Sequence, residues 1–325
     1  MHKVVLIGAG RIGRIHAGNA ASSSRIELAG VVDPIDASAQ SLAAGHGCPV
    51  LGLDQAMDDA SVAGVIIASS TDTHLDYSLR AAAAGKAVFC EKPIDQDLAR
   101  ARGAADRLST ARLLLAFNRR FDPNFQALKA RLDSGAIGRL ETLQITSNDP
   151  APPPPAYVAV SGGLFKDMAI HDFDMARWLL GEEPVEVYAA GSCLVDPEIG
   201  RLGDIDTART LLKTASGRIC VISNSRRSGF GYDQRIEAYA SAGMVRADNV
   251  TESTVQVWSE NGAAADRFQN FFLDRYAEAY RREMEHFADM LDGAPASVGY
   301  ADGVAALALA EAAARSVATG APVRL

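Results

Sequence analysis

The 325-residue sequence predicts an α/β protein. A doubly wound parallel sheet forms the N-terminal part, and an α+β domain with a large, mostly antiparallel open sheet follows it. Three observations carry this reading. Up to about residue 120, short apolar runs alternate with helix-like segments, the texture of successive βαβ units. Beyond that point, long strand-like segments follow one another with turn signals between them. The length itself suits two domains, 1–120 and 121–325, each able to bury a core.

Taken in order, "KVVLI" (3–7) is a first strand, residues 12–22 a helix and "IELAGVVD" (26–33) a second strand. "VAGVIIAS" (62–69) and "KAVFCEK" (86–92) are further strands, with the Ala-rich helix "HLDYSLRAAAAG" (74–85) between them, and "RLLLAFN" (112–118) closes the series. A helix over 123–134, stopped by Gly135, opens the second part. Strands then cover 139–148, 185–195, 206–227 and 234–249, the last two folded back at "SG" (216–217) and "SAG" (241–243). Helices near 272–292 and 301–319 end the chain, and the final one is expected to return to the first domain. "DPAPPPPAY" (149–157) reads as a rigid loop, because four consecutive prolines cannot join a sheet interior. It serves as a loop wall or as a polyproline ligand.

The formal charge of −8 disfavours nucleic acid, and no basic patch is segregated. "NRR" (118–120) and "SRRS" (225–228) read as surface or anion contacts. Cys48, Cys90, Cys193 and Cys220 form no CxxC pair, so they read as structural thiols in a reducing compartment. The N-terminal apolar run is too short for a secretory signal, and no run of eighteen apolar residues suggests a membrane span. A cytoplasmic protein without a metal site is the expectation.

"GAGRIG" (8–13) matches G-x-G-x-x-G. The match gains weight from its place after a strand and before a helix, with Asp33 ending the next strand. Gly8 allows the tight turn, Gly10 lets backbone approach a pyrophosphate, and Gly13 lets the helix lie close to the strand. The helix N-terminus then offers unpaired N–H groups to the phosphates, with Arg11 and Ile12 in its first turn. Asp33 would accept from the adenosine ribose hydroxyls and repel a 2′-phosphate, which favours NAD over NADP. FAD shares the fingerprint.

"GGLFKDMAIHDFDMARWLLG" (162–181) holds the second concentration of chemistry. As one helix it places Asp167, His171, Asp174 and Trp178 on one face and the apolar Ala169, Phe173, Ala176 and Leu180 on the other. Three readings fit the acid and the imidazole: a surface hydrogen-bonded pair, a chelate, or a general acid–base couple in which the carboxylate orients the ring. No second histidine or cysteine stands nearby to support the chelate. "CEKPI" (90–94) puts Glu91 and Lys92 at the C-terminal end of a strand, the ligand edge of an open α/β sheet. Lys92 is either solvated there or a fixed cation for developing alkoxide charge.

With "GAGRIG", Asp33, "SSTDTH" (69–74), "CEKPI" and "GGLFKDMAIHDFD" in this order, the chain resembles the Gfo/Idh/MocA oxidoreductases over nearly its whole length. The resemblance implies a Rossmann domain, NAD, a substrate domain with an open sheet, and Lys92, Asp167 and His171 as catalytic groups. It places Ser69, Ser70, Thr71 and His74 on the nicotinamide side, joined by Glu91, Lys92 and Arg119. Through "FNRRFDPNF", "NDPAPPPPAY", "LVDPEIG" and "ISNSRRSGFGYDQRIE", the chain is most similar to the inositol 2-dehydrogenases of that family. This implies Asn148, Asp149 and Tyr232 as polyol contacts, alongside Lys92, Asp167 and His171. The residue before "DP" is often arginine in that pattern, and here it is Asn148. A tetramer and oxidation of a ring hydroxyl are implied as well. Another inositol isomer, a pyranose, or a dinucleotide-bound sensor without turnover are the alternatives.

Overall fold

The computed structural model describes residues 1–325, which divide into two compact units. The first comprises Met1–Phe121 and Ala279–Leu307. Its strands are β1 (His2–Ile7), β2 (Ile26–Val32), β3 (Val62–Ile67), β4 (Ala87–Glu91) and β5 (Leu113–Ala116). They pair in parallel in the order β2-β1-β3-β4-β5. Val4, Val5, Leu6, Val65, Ile66, Val88 and Phe89 are wholly buried, as strands covered on both faces require. Strand order reverses at β1, so the loops after β1 and β3 diverge there and leave a crevice. On the sheet, Gly64 admits Phe287 and Leu291 of the helix Ala277–Leu291; a Cβ at Gly64 would lie 3.0 and 3.1 Å from them.

The second unit is Asp122–Glu278 with Ala308–Leu325. Its strands are β6 (Leu140–Asn148), β7 (Pro184–Ser192), β8 (Thr207–Thr214), β9 (Ile219–Ser225), β10 (Asp233–Ala240), β11 (Gly243–Ala247), β12 (Gln256–Ser259), β13 (Gly262–Ala265) and β14 (Val323–Arg324). Seven of them form one sheet, β11-β10-β6-β9-β8-β7-β14. Every neighbouring pair is antiparallel except β6 with β9. β12 and β13 make a separate hairpin. β8 alternates strictly: Ala208, Thr210, Leu212 and Thr214 point inward, whereas Arg209, Leu211 and Lys213 point out. The inner face meets the helix Ile170–Leu180 at β6, and Phe173, Ala176 and Leu180 of that helix are buried. The outer face exposes Tyr188, Leu211 and Val221 as one cross-strand row.

Three details depart from the sequence-based expectation. The expected single helix over 163–180 is two, Gly163–Asp167 and Ile170–Leu180. The amide of Ala169 donates to Leu164 O, five residues back, and this wide turn interrupts the ladder. Second, the proline-rich loop is shorter than expected. Pro155 begins a helix, Pro155–Ser161, as the first helical position permits. Third, Arg119, Arg120 and Arg226 are buried and are not surface contacts, while Arg227 is exposed.

Candidate active site

In the first unit, the glycine loop leads from β1 into the helix Arg11–Ser22. A Cβ on Gly13 would lie 1.9 Å from Gly8 O, and one on Gly8 would lie 2.4 Å from Ala68 O. Both glycines are therefore required for helix, turn and β3 to approach one another. Gly10, at the helix N-cap, has open space where its Cβ would be. That is the room a pyrophosphate needs beside the exposed Arg11 and half-buried Ile12. Asp33 follows β2; its Oδ2 accepts from Ala9 N at 2.6 Å and its Oδ1 from Ile35 N at 2.8 Å. The carboxylate is thus fixed in direction while each oxygen keeps acceptor capacity for a ribose diol. The residues present fit a dinucleotide.

After β3, Ser69 Oγ bonds Thr73 Oγ1 at 2.6 Å, and Thr73 Oγ1 donates to Ser70 O at 2.7 Å, closing the turn Thr71–Thr73. His74 is buried beneath this loop. Its Nδ1 lies 2.8 Å from Pro93 O and its Nε2 3.2 Å from Ser69 O. Burial pushes its pKa down, which favours the neutral ring, with the proton on Nδ1 for the shorter contact. His74 therefore ties together the loops after β3 and β4. Glu91 ends β4; its Oε1 lies 2.7 Å from Nε2 of the buried His16, and its Oε2 accepts from Lys92 N at 3.3 Å. Lys92 is half-buried and precedes a cis Lys92–Pro93 bond. Glu283, wholly buried, is pushed well above the usual carboxylate range by burial and by the charge of Glu91. Arg119 is buried near the end of β5, and its neighbour Arg120 pairs with Asp302 at 2.9 Å.

In the second unit, Asp167 closes its short helix and His171 stands in the first turn of the next, both half-buried. Asp167 Oδ1 accepts from Tyr157 Oη at 2.8 Å, and Arg226 brings its Nη2 to 3.3 Å from Asp167 Oδ2. Asp172 and Asp174, which the single-helix reading left unplaced or on the open face, are wholly buried. Asn224 donates to Asp172 at 2.7 Å, and Arg177 stands 3.9 Å from Asp174. At the ends of β6 and β10, Asn148 Nδ2 donates to Asp233 Oδ2 at 3.1 Å. Asn249 and Arg235 both reach Asp233 Oδ1 at 2.7 Å. Burial pushes the Asp233 carboxyl up, but Arg235 and the two amides outweigh it and hold the group below its ordinary value. Asp149 N donates to Ser225 O at 2.9 Å. Tyr232 is buried edge-on against Tyr276, with 6.0 Å between ring centroids.

Sequence reasoning missed His16, Tyr157, Arg226, Asp233 and Glu283. The "RR" pair and the tyrosine after the prolines were visible, but the carboxylate that both Arg226 and Tyr157 meet, Asp167, is 59 residues from the arginine and ten from the tyrosine. No group of three or more His, Cys, Asp and Glu side chains is placed to hold a metal ion. No helix is long and apolar enough to cross a membrane. All four cysteines are free, and burial pushes the Cys90 thiol up to about 12.

Residues 2–118 match the model of an oxidoreductase family with an NAD-binding Rossmann fold, and residues 125–246 match the GFO/IDH/MocA C-terminal domain. The chain belongs to the Gfo/Idh/MocA oxidoreductases. Among them it is 47% identical to an inositol 2-dehydrogenase of Rhizobium meliloti, covering 96% of each chain. The crystal structure of a myo-inositol dehydrogenase from Corynebacterium glutamicum superposes with a TM-score of 0.95 at 42% identity, over 99% of this chain and 98% of that one. A scyllo-inositol dehydrogenase from Lactobacillus casei, solved with bound NAD(H) and scyllo-inositol, matches with a TM-score of 0.91 at 28% identity, over 100% and 99%. As a Gfo/Idh/MocA member the protein is an NAD-dependent oxidoreductase, and the fingerprint on β1 and Asp33 are the residues suited to the cofactor.

Proposed function

We propose that the protein oxidises a ring secondary hydroxyl of myo-inositol to the ketone, giving 2-keto-myo-inositol, with NAD as co-substrate. The observation that carries this is near-full-length similarity, at 47% identity, to a protein named inositol 2-dehydrogenase. Gly8, Gly10, Arg11, Ile12, Gly13 and Asp33 would hold the dinucleotide, with Ser69, Ser70, Thr71, His74, Glu91 and Arg119 shaping its reactive end. NAD, when bound, supplies the hydride acceptor. His171 takes the hydroxyl proton, and Asp167 orients the ring and supports its charge. Lys92 steadies the oxygen as it becomes anionic. Asn148, Asp149 and Tyr232 recognise the remaining hydroxyls; the dense polar pairing around Asp233 supports this. Each hydroxyl left unpaired costs about 1–3 kcal/mol, enough to separate isomers.

The exposed row Tyr188, Leu211 and Val221 supports assembly through the open sheet, and we take the protein to be a cytoplasmic homotetramer. The second reading is scyllo-inositol or a pyranose as substrate; Asn148, at a position often arginine, favours keeping it. Purified protein with NAD should raise the reduced-nicotinamide absorbance most rapidly with myo-inositol. A faster rate with scyllo-inositol or glucose moves the assignment to that substrate. No reduction with any polyol or sugar overturns it.

A further inference from the structure

The short helix Gly163–Asp167 cannot fix Asp167 unaided, since five residues form little more than one turn. Its two ends are instead held by one charged assembly. At the start, Leu164 N donates to Asp204 Oδ1 at 3.0 Å. Gly163 has φ +85°, and a Cβ there would approach Asp204 Oδ1 to 2.9 Å, so the contact depends on glycine. At the end, Arg226 Nη1 and Nη2 lie 3.4 and 3.3 Å from Asp167 Oδ2. The same guanidinium is 3.9 Å from Asp204 Oδ2. Its side chain is only 2% exposed. A guanidinium keeps its proton under all ordinary conditions, so this buried charge must be balanced by carboxylates. Asp167 and Asp204 are the ones present.

The platform beneath is rigid. Arg226 N donates to Asp206 O at 2.8 Å. The Asp206 carboxylate accepts from Leu194 N, Val195 N and Asp196 N at 2.8, 2.8 and 2.9 Å. Arg226 also opens the segment that ends in Tyr232 and Asp233, so one stretch of chain sets both the acid and the candidate polyol contacts.

We infer that Arg226, seated on Asp204, is a positioning residue for the reaction: it fixes the direction of the Asp167 carboxylate and through it the imidazole of His171. This rests on the acid–base role proposed for Asp167. With its side chain only 2% exposed, Arg226 acts through Asp167.

That dependence defines the test, a double-mutant cycle in turnover with Arg226→Gln, Asp167→Asn and the pair, assayed with NAD and myo-inositol. R226Q should lower kcat about 100-fold, the scale of one lost electrostatic positioning contact, and leave the KM for NAD within about twofold. R226K should restore about tenfold of that loss, because it returns the charge but not the two-pronged geometry. In the D167N background, adding R226Q should change kcat by less than about twofold. A buried arginine that serves only the fold would give multiplicative losses in the double variant, and that result overturns the inference, as does wild-type turnover by R226Q. Wild-type turnover by D167N instead removes the role of Asp167 on which it rests. Should R226Q fail to fold, the same cycle run with R226K, or with Asp204→Asn, carries the same two outcomes.

Discussion

Glu283 gives the sharpest prediction about stability. Its carboxyl is wholly buried on the helix Ala277–Leu291, and neither oxygen has a hydrogen-bond partner. Around it stand Tyr280, whose ring is 5.8 Å from His16, and Phe287, whose ring is 5.7 Å from Phe89. Burial first, and then the charge of Glu91, hold the acid neutral in the folded state. The unfolded chain releases that proton near the ordinary value of 4.5. The folded state therefore binds one proton more throughout the window from 4.5 up to the raised value. In that window stability falls as pH rises, by about 1.4 kcal/mol for each pH unit gained. Glu283→Gln keeps the shape and a neutral group but cannot ionise. The variant should gain on the wild type as pH rises from 5 to 7, by about 1.4 kcal/mol for each pH unit that lies inside the window. For a unit of about 150 residues, each 1 kcal/mol of that gain is a melting difference of roughly 2–4 °C. Paired thermal or urea unfolding at the two pH values measures it, and titrations common to both proteins cancel. An offset between variant and wild type that stays constant with pH would refute the reasoning.

Other substitutions test the chemistry and the assembly. His171→Ala should lower kcat about 10²–10⁴-fold with NAD affinity unchanged, read by steady-state rates and by fluorescence titration of NADH. Asp33→Asn should reduce the preference for NAD over NADP, measured as a ratio of kcat/KM, by about 10–100-fold, because the charge that repels a 2′-phosphate is gone. Leu211→Lys, in the middle of the exposed row on the open sheet, should shift sedimentation toward smaller species while leaving the far-UV spectrum unchanged.

The features legible in the sequence are those decided by neighbours in the chain. The glycine fingerprint, Asp33 and the turns at 216–217 and 241–243 are local. The burial of Arg226 was hidden because Asp167 lies 59 residues away. A basic pair reads as surface until its carboxylate is placed. Asp174 was misplaced for a different reason. Met168 and Ala169 are unremarkable helix residues, so nothing local announces the wide turn at Ala169, which separates Asp167 from the helix that carries both His171 and Asp174. Pro155 illustrates an ambiguity of residue type: proline excludes a sheet interior but is welcome at the first position of a helix.

Two polar clusters, one in each unit, are held by different means. At Asp33 and His74 the main chain does the holding: Ala9 N and Ile35 N fix Asp33, and Pro93 O accepts from His74. A change there disturbs the loops themselves. Around Asp233 side chains hold one another. Asn148, Asn249 and Arg235 converge on Asp233, and Asn148 Oδ1 remains buried without a partner. Such an acceptor carries a desolvation cost of about 1–3 kcal/mol that a donating hydroxyl would recover. An arginine in place of Asn148 would offer donors alone, and would meet the Asp233 carboxylate as a second cation beside Arg235. One substitution at this position therefore inverts the hydrogen-bonding sense of the site and leaves the cofactor loops untouched. On the proposed assignment, isomer preference would follow residue 148 while the loops suited to the cofactor keep their main-chain contacts.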